Sequence, residues 1–411
     1  MMWEGNMSDL KIADRMRDVH SDIRGPLFVE ATRMEKEGKK ILHLNTGNPA
    51  TFGFKMPDSV RNALLSNVDR AVAYCNFKGM PEAREAICAY HQSKGIRGID
   101  PDHIFIGNGV SEVAQMATTV LFEKGDEVLI PSPGYSLWTN LLRLSDATPV
   151  FYVCDEEAEW YPDLNDIRSK ITPKTKAILL INPNNPTGAV YPREIVEKIA
   201  EIARENRLIV LSDEIYDRLL MDGYTHDSTA EVAPDLPVVT FNGLSKSHVI
   251  CGFRCGWLCV SGPDDFSHPL IEAIQKLAAM RLCGNALTQL VIPAALNDPE
   301  STKAMLVPGG RLYEQREATC RTIEKIPGIT FRKNHAAFYL FPRIDCDMYN
   351  IKNDKQFAMD VLHATNILFI PGSGFDWPKP DHFRLVMLPK ADVIEESFGR
   401  MAKFMQTYRQ K

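Results

Sequence analysis

The sequence predicts an α/β protein whose core is a mostly parallel β-sheet with helices on both faces. Between about residues 100 and 260, short apolar segments alternate with amphipathic segments, which is typical of a parallel sheet covered on both sides. Beyond residue 260 this alternation fades, and the shorter segments that follow predict a smaller α+β domain. The chain has 411 residues, enough to bury the cores of two or three such units.

The composition disfavours several classes of partner. Lys and Arg number 47 against 53 Asp and Glu, for a net charge of −6, and no basic run stands out, so a nucleic-acid partner is not expected. No apolar stretch reaches the roughly 18 residues that span a bilayer. The first residues also lack the charged and apolar regions of a signal peptide. We therefore expect a cytoplasmic protein with no membrane contact.

Nine cysteines are scattered without a Cys-x-x-Cys pair, which disfavours a disulfide framework. Cys251, Cys255 and Cys259 are spaced by four residues, and three thiolates aligned on one side of a helix could bind zinc. Gly252 and Gly256 interrupt any helix that would align these thiolates, and no histidine pairs with them at a suitable spacing. We predict no metal site.

Six strands are predicted in the alternating region, at residues 104–107, 127–131, 148–153, 177–182, 208–212 and 238–242. A helix at 192–207 separates the fourth strand from the fifth, because Pro192 suits a first turn and an apolar stripe follows it. In parallel sheets, ligands bind beyond the carboxyl ends of the strands. The residues after each strand are therefore the candidates for a functional site.

Polar residues follow the first and fifth of these strands. Val110 and Ser111 open a helix after the first strand, and backbone amides with a hydroxyl at a helix start favour a phosphate. The segment begins like a dinucleotide fingerprint, but Glu112 replaces the third glycine, which disfavours that interpretation. Asp213 follows the fifth strand, where a buried acid needs a partner, either a structural cation or a protonated ring nitrogen.

Three loops offer further candidates. Tyr135 follows the second strand in Pro-Ser-Pro-Gly-Tyr and could lie against a flat ligand, although a packed loop aromatic explains it as well. Asn185 follows the fourth strand within residues 182–188, where two prolines and a glycine would fix its amide. Gly47, in the loop at 45–49, belongs either to a plain turn or to backbone that approaches a small ligand.

Lys246 and Arg254 follow the sixth strand. The amine of a lysine can form a Schiff base with an aldehyde, and the fork of a guanidinium suits phosphate oxygens. Together they suggest a pyridoxal phosphate site, and the alternative is an ordinary surface loop.

Outside the alternating region, helices are predicted at 26–38, 263–298 and 310–326, and short strands at 338–341, 367–370 and 382–387. Arg384 lies inside the last strand, in the apolar run Phe-Arg-Leu-Val-Met. Such an arginine is rarely left uncompensated. Either a structural salt bridge or a substrate carboxylate held by two parallel bonds would compensate it.

In these motifs the chain resembles the class I aminotransferases, which are fold-type I pyridoxal phosphate enzymes. Asn-Asn-Pro-Thr-Gly at 184–188, Asp213 with Tyr216, Ser-Lys at 245–246 and Gly-Phe-Arg at 252–254 stand in family order and spacing. More narrowly, the chain looks like the bacterial alanine aminotransferases, through Asp-Ile-Arg-Gly-Pro at 22–26, Phe-Asn-Gly-Leu-Ser-Lys at 241–246 and Met-Arg-Leu-Cys at 280–283. The resemblance runs from about residue 23 to the C-terminus.

The resemblance implies a role for each residue around the cofactor ring. Lys246 would bind pyridoxal phosphate covalently and move the α-proton of the substrate. Asp213 would pair with the pyridinium nitrogen, and Tyr135 would stack on the ring. Asn185 and Tyr216 would bond the phenolic oxygen.

Further roles concern the phosphate and the substrate. Arg254, Val110 and Ser111 would hold the phosphate. Many relatives have a phosphate-binding serine three residues before the lysine, where this chain has Gly243, and Ser245 could compensate. Tyr74 would reach the phosphate of a neighbouring subunit, which implies a homodimer. Arg384, with Gly47 and Asn185, would bind the substrate α-carboxylate.

The implied organisation is an N-terminal arm at 1–22, a small domain at 23–58 and 305–411, and a large cofactor-binding domain at 59–304. The implied activity is reversible transfer of the amino group between L-alanine and 2-oxoglutarate by a ping-pong mechanism. Alternatives are an aminotransferase for another neutral or aromatic amino acid and a carbon–sulfur β-lyase. A regulator with an aminotransferase-like domain is disfavoured by the intact Lys246 and by the fewer than about 25 residues ahead of the resemblance.

Overall fold

The structure is a computed structural model that describes residues 12–20 and 25–411. Residues 1–11 and 21–22 of the predicted arm, and residues 22–24 of the motif at 22–26, lie outside the described residues. The strands are, in chain order, β1 (Leu42–His43), β2 (Ile104–Asn108), β3 (Glu127–Ser132), β4 (Thr148–Asp155), β5 (Tyr161–Pro162), β6 (Thr175–Ile181), β7 (Ile209–Asp213), β8 (Val238–Gly243), β9 (Cys255–Ser261), β10 (Ile329–Thr330), β11 (Tyr339–Leu340), β12 (Arg343–Ile344), β13 (Ile367–Leu368), β14 (Ile370–Pro371) and β15 (Phe383–Val386).

The main sheet has eight strands in the spatial order β2-β9-β8-β7-β6-β3-β4-β5. Strands β3, β4, β6, β7 and β8 pair in parallel, while β9 lies antiparallel between β8 and β2. The predicted mostly parallel sheet is therefore confirmed. Because β2 and β8 both run opposite to β9, all six predicted strands end at the same edge.

Strand β9 is absent from the sequence-based prediction because Gly252 and Gly256, on either side of its first residue, interrupt the apolar pattern. All seven of its residues are buried. A side chain at Gly256 would place Cβ 2.3 Å from the amide nitrogen of Val110, so only glycine allows β9 to lie this close. The strand returns the chain from Lys246 towards β2 and brings Arg254 beside the helix that follows β2.

The helices are α1 (Pro26–Lys36), α2 (Asp58–Asn67), α3 (Pro81–Ser93), α4 (Val110–Leu121), α5 (Leu137–Leu144), α6 (Leu164–Ser169), α7 (Arg193–Glu205), α8 (Thr229–Val232), α9 (Asp264–Met280), α10 (Ala286–Gln289), α11 (Ile292–Leu296), α12 (Pro299–Lys303), α13 (Arg311–Ile323), α14 (Cys346–Tyr349), α15 (Asp354–Thr365) and α16 (Ala391–Thr407). The helix predicted at 192–207 is α7. The helix predicted at 263–298 is instead divided into α9, α10 and α11. Leu282 has a φ of +73°, which a right-handed helix cannot accommodate, and the side chain of Asn285 then caps α10.

Two apolar cores cover the two faces of the main sheet. One includes residues of α3, α7 and α11, and the other includes residues of α4, α5 and α9. A third core draws mostly on residues within 27–54 and 306–408. The domain boundaries at 58–59 and 304–305 stay predictions. Within the described residues, no helix combines the length and apolarity that a membrane span requires.

Candidate active site

A cavity of about 640 Å³ lies at the carboxyl edge of the main sheet. Its lining includes all the predicted site residues except Tyr74, namely Gly47, Val110, Ser111, Tyr135, Asn185, Asp213, Tyr216, Ser245, Lys246, Arg254 and Arg384. Tyr74 does not line this cavity, and it is 80% exposed. The fold therefore brings together residues that are up to 337 positions apart, from Gly47 to Arg384.

Lys246 follows β8 and extends into the cavity. Its Nζ donates a hydrogen bond to the carbonyl oxygen of Gly47 at 2.8 Å, and no described carboxylate forms an ion pair with it. Glycine is required at position 47, because a Cβ there would lie 2.2 Å from Oη of Tyr339. The amine is thus held at the cavity by a neutral acceptor, which leaves it available for an aldehyde.

Asp213 is the last residue of β7 and is 3% exposed. Its Oδ2 accepts a hydrogen bond from Nε1 of Trp138 at 2.9 Å, and its Oδ1 accepts one from the amide of Ile215 at 3.3 Å. Burial raises the pKa of this carboxyl to about 6, although both donors lower it. No described cation forms an ion pair with it, so the carboxylate can receive a positively charged group from the cavity.

Arg384 lies in β15 and is 1% exposed. Its Nη1 donates to Oδ1 of Asn185 at 3.2 Å, its Nη2 donates to the carbonyl of Asn45, and its Nε has no partner among the described residues. Burial lowers the pKa of Arg384. The structural salt bridge considered from the sequence is not formed, because no described carboxylate pairs with this guanidinium. It is therefore suited to a carboxylate ligand.

The other end of the cavity suits an anion. Arg254 has a φ of +59°, and its guanidinium donates to the carbonyls of Cys251 and Asn108 at 3.0 and 3.4 Å. A Cβ at Gly109 would lie 2.3 Å from Nη2 of Arg254, so glycine allows this guanidinium to lie at the start of α4. A cation beside the positive end of a helix is favourable when an anion lies between them. The amides of Val110 and Ser111 begin the same helix.

Gly243 stands where many relatives have a phosphate-binding serine, and the local packing explains this difference. A Cβ at this position would lie 2.6 Å from the carbonyl oxygen of Cys255 and 3.0 Å from Cα of Gly256. A serine therefore does not fit there while β9 keeps its position. Ser245 lines the cavity and supplies a hydroxyl nearby.

Sequence reasoning missed Tyr339, which lies in β11 and lines the cavity. Its Oη lies 2.9 Å from Oη of Tyr216, and the guanidinium of Arg384 lies 4.5 Å from its ring centre. In the sequence, the one feature that could have indicated Tyr339 is its hydroxyl group within the apolar run Phe-Tyr-Leu-Phe at 338–341. Asn45, Thr46 and Cys251 also line the cavity and were not predicted.

These groups fit pyridoxal phosphate, the cofactor that the resemblance implies. The buried acid Asp213 suits the protonated ring nitrogen, and the amine of Lys246 suits the aldehyde. The start of α4 with Arg254 suits the phosphate. The carboxyl, amine and guanidinium lack counter-ions among the described residues, so the charges of the cofactor would complete the site rather than displace existing pairs.

Comparison with known proteins gives the family. A family model described as aminotransferase class I and II matches residues 39–396. The chain is 48% identical to the glutamate-pyruvate aminotransferase AlaA of Haemophilus influenzae, over 97% of this chain and 98% of that protein.

Two solved structures agree with this family. An aminotransferase from Escherichia coli has a TM-score of 0.96 at 46% identity and covers 98% of this chain and 100% of its own. Alanine aminotransferase from Pyrococcus furiosus has a TM-score of 0.90 at 38% identity and covers 96% of this chain and 100% of its own. The chain therefore belongs to the class I and II aminotransferases, enzymes whose cofactor is pyridoxal 5′-phosphate.

Proposed function

We propose that this chain is an alanine aminotransferase, which transfers the amino group between L-alanine and 2-oxoglutarate and yields pyruvate and L-glutamate. The observation that carries the proposal is one cavity lined by Asp213, Lys246 and Arg384, each a charged side chain without a described counter-ion. The choice of alanine is supported by the names of the relatives from H. influenzae and P. furiosus. The mechanism is ping-pong, because the cofactor would keep the amino group after the first keto acid leaves and before the second one binds.

When bound, pyridoxal phosphate supplies an electron-withdrawing ring and a carbonyl carbon that carries the amino group. Asp213 holds the proton of the ring nitrogen through its carboxylate, which is ionised at neutral pH because its pKa is about 6. Asn185 and Tyr216 donate hydrogen bonds to the phenolic oxygen. Tyr135 covers one face of the ring and excludes water from it.

The remaining residues hold the phosphate and move the proton. Arg254, with the amides of Val110 and Ser111 and the hydroxyl of Ser245, binds the phosphate. Lys246 would hold the cofactor aldehyde through its amine and, when that amine is free, would carry the α-proton away from the bound substrate.

The substrate carboxylate is bound at the opposite end of the cavity. Arg384 binds both oxygens of the α-carboxylate with Nη and Nε donors, and Asn185 supports the same guanidinium. Because Gly47 has no side chain, its backbone can lie directly beside the hydroxyl of Tyr339. An α-carboxylate fixed in this way holds the α-carbon within reach of Lys246.

We also propose a homodimer with shared active sites. Val72, Tyr74, Met280 and Leu282 are exposed apolar side chains on two segments that contact each other, since Arg281 donates to the carbonyl of Phe77. Exposed apolar patches of this kind mark protein interfaces. Tyr74 lies in this patch, where its hydroxyl would reach the phosphate in the partner subunit.

The dimer is tested by complementation. Tyr74→Phe should weaken cofactor binding and so lose activity at low pyridoxal phosphate concentration, where the assay is run, and Lys246→Ala should be inactive at any concentration. Co-expressed, the two variants form hybrid dimers in which one of the two sites has both side chains, so activity should return. Absence of any recovery in hybrids that are isolated as dimers would contradict a shared site.

The division into a small domain at 23–58 and 305–411 and a large domain at 59–304 is part of this proposal, and it is supported by the third apolar core. A cytoplasmic location is supported by the nine cysteines, all of which are free thiols, the state that a reducing compartment maintains.

The activity is tested by incubating the purified protein with pyridoxal phosphate, L-alanine and 2-oxoglutarate. Equal amounts of pyruvate and glutamate should form. When 2-oxoglutarate is omitted, no glutamate should form, and pyruvate should not exceed one equivalent of enzyme. Continuous release of pyruvate and ammonia from cysteine or cystathionine without a 2-oxo acid would instead indicate a β-lyase. Failure to form glutamate from any amino donor would contradict the proposal.

A further inference from the structure

Trp138 lies behind the Asp213 carboxylate and does not line the cavity. It belongs to α5, is 1% exposed, and packs edge to face on Phe241 with ring centres 4.9 Å apart. Phe241 is the residue of β8 that pairs with Asp213 across the sheet. The indole is therefore held in place by the same strands that carry the carboxylate.

The hydrogen bonds around Asp213 favour its ionised form. An indole N–H donates a hydrogen bond and accepts none, and a backbone amide has the same restriction. Trp138 donates to Oδ2 and the amide of Ile215 donates to Oδ1, so each oxygen faces a donor. Both N–H groups bond an ionised carboxylate more strongly than a neutral carboxylic acid, so the two hydrogen bonds stabilise the charged form.

This donor opposes the effect of burial. Burial alone favours the neutral acid, and it raises the pKa of Asp213. Among the described residues, Trp138 is the side chain that donates to this carboxylate, and the carboxylate has no cationic partner. Loss of the indole N–H would leave Asp213 with the Ile215 amide, whose hydrogen bond is longer.

We propose that Trp138 is a positioning residue of this enzyme, whose indole N–H fixes the orientation of the Asp213 carboxylate and keeps it ionised towards the cofactor ring nitrogen. The inference rests on the function proposed above, in which Asp213 holds the proton of that nitrogen. Tyr135 lies three residues before Trp138. One short segment thus positions both the residue against the ring face and the acid at the ring edge.

Three variants separate the hydrogen bond from the packing. Trp138→Phe keeps an aromatic ring against Phe241 and removes the donor. Trp138→His keeps a five-membered ring with an N–H at the equivalent position and removes the fused six-membered ring. Trp257→Phe is the matched control, because Trp257 is also 1% exposed and its Nε1 donates to His91 at 3.0 Å instead of to a cavity residue.

Two properties are measured for each variant: the dissociation constant of pyridoxal phosphate from the apoprotein, and the pH midpoint of the visible absorption band of the bound cofactor. We expect Trp138→Phe to weaken cofactor binding about tenfold, the cost of one buried hydrogen bond to a charged group. Its midpoint should move to higher pH, because a ring that holds its proton less firmly withdraws fewer electrons from the lysine nitrogen. Trp138→His should restore the wild-type midpoint, and Trp257→Phe should change neither property.

The outcomes are distinct. Wild-type protein that binds no pyridoxal phosphate would overturn the proposed function together with this inference. Normal binding by the wild type, with Trp138→Phe indistinguishable from Trp257→Phe, would overturn the inference alone. If Trp138→Phe does not fold, Trp138→Leu takes its place: a midpoint at higher pH than that of Trp138→His supports the role of the N–H donor, and equal midpoints in the two variants contradict it.

Discussion

The turn that follows β7 separates two groups of buried charge that differ in how they are compensated. In the first group, which we name the closed cluster, the ammonium of Lys94 lies among Glu214, Asp217 and His226. Its Nζ is 3.3 Å from Oε2 of Glu214, 2.8 Å from Oδ2 of Asp217 and 3.1 Å from Nδ1 of His226. The acidic and imidazole groups are close enough together to bind a metal ion, but the ammonium already provides the positive charge.

The second group lines the cavity and is open. Asp213, one residue before Glu214, has no described cation, and neither Lys246 nor Arg384 has a described carboxylate. An uncompensated buried charge costs several kcal/mol. The closed cluster therefore fits a structural role, and the open group fits charges that a cofactor and a substrate would supply. Substitutions in the closed cluster should therefore lower the free energy of unfolding, whereas substitutions in the open group should weaken binding of the cofactor or the substrate.

The largest effect is expected for Lys246→Ala. The variant should lose the visible band of the bound cofactor, and its turnover should fall about 10⁴-fold or more because both the covalent link and the proton carrier are removed. Absorbance spectra and steady-state rates measure these effects. Lys246→Arg is the control for charge alone and should be equally inactive. Wild-type turnover in either variant would contradict the role of the amine.

A large effect on stability is expected for Lys94→Met. The substitution leaves two buried carboxylates without their cation, so the free energy of unfolding at pH 7 should fall by about 3–5 kcal/mol. Denaturant unfolding of the apoprotein measures this loss. A variant as stable as the wild type would show that the closed cluster does not depend on its ammonium.

Arg384→Met should show the opposite pattern. Since the guanidinium has no described counter-ion, the apoprotein should lose less than about 1 kcal/mol of stability, whereas the KM for both substrates should rise about 100-fold. Cofactor affinity should stay within about twofold of the wild type. An unchanged KM for alanine would contradict binding of the α-carboxylate at this residue.

The smallest effect is a pH dependence of stability carried by Asp213. The pKa of Asp213 rises from 3.8 to about 6 on folding. The protonated carboxyl therefore contributes stability to the apoprotein that is fully present below pH 3.8 and is lost as the pH rises through about 6. Relative to the wild type, Asp213→Asn apoprotein should therefore gain about 1 kcal/mol between pH 5 and pH 8. Denaturant unfolding at both pH values measures this difference, and a pH-independent difference would show that the carboxyl is not perturbed.

The contrast between the open group and the closed cluster also explains which of these residues can be predicted from the sequence. The open group lies at strand ends, where a polar residue after an apolar run is visible in the pattern and the parallel sheet brings the ends together. Asp213, Asn185 and Lys246 are predictable for this reason. The closed cluster combines Lys94 of the segment after α3 with residues more than 100 positions later, and no local pattern pairs them.

Other residues were hidden for related reasons. In a hydrophobic pattern, Trp138 and Tyr339 are read as apolar residues. Their polar atoms form hydrogen bonds with Asp213 and Tyr216, which lie 75 and 123 positions away in the sequence. Strand β9 was missed because Gly256, which its close packing against α4 requires, resembles a loop residue in the sequence. Tyr74 was predicted from the resemblance, and its role depends on a second subunit.

The most direct test of the open group is an absorbance titration of the purified protein with L-alanine and then with 2-oxoglutarate. We predict that the visible band of the bound cofactor disappears with alanine as one equivalent of pyruvate forms, and returns with 2-oxoglutarate as glutamate forms. In Arg384→Met the same band should respond only to about 100-fold more alanine. A wild-type protein that shows no band after addition of pyridoxal phosphate, or a band that neither substrate changes, would contradict the account.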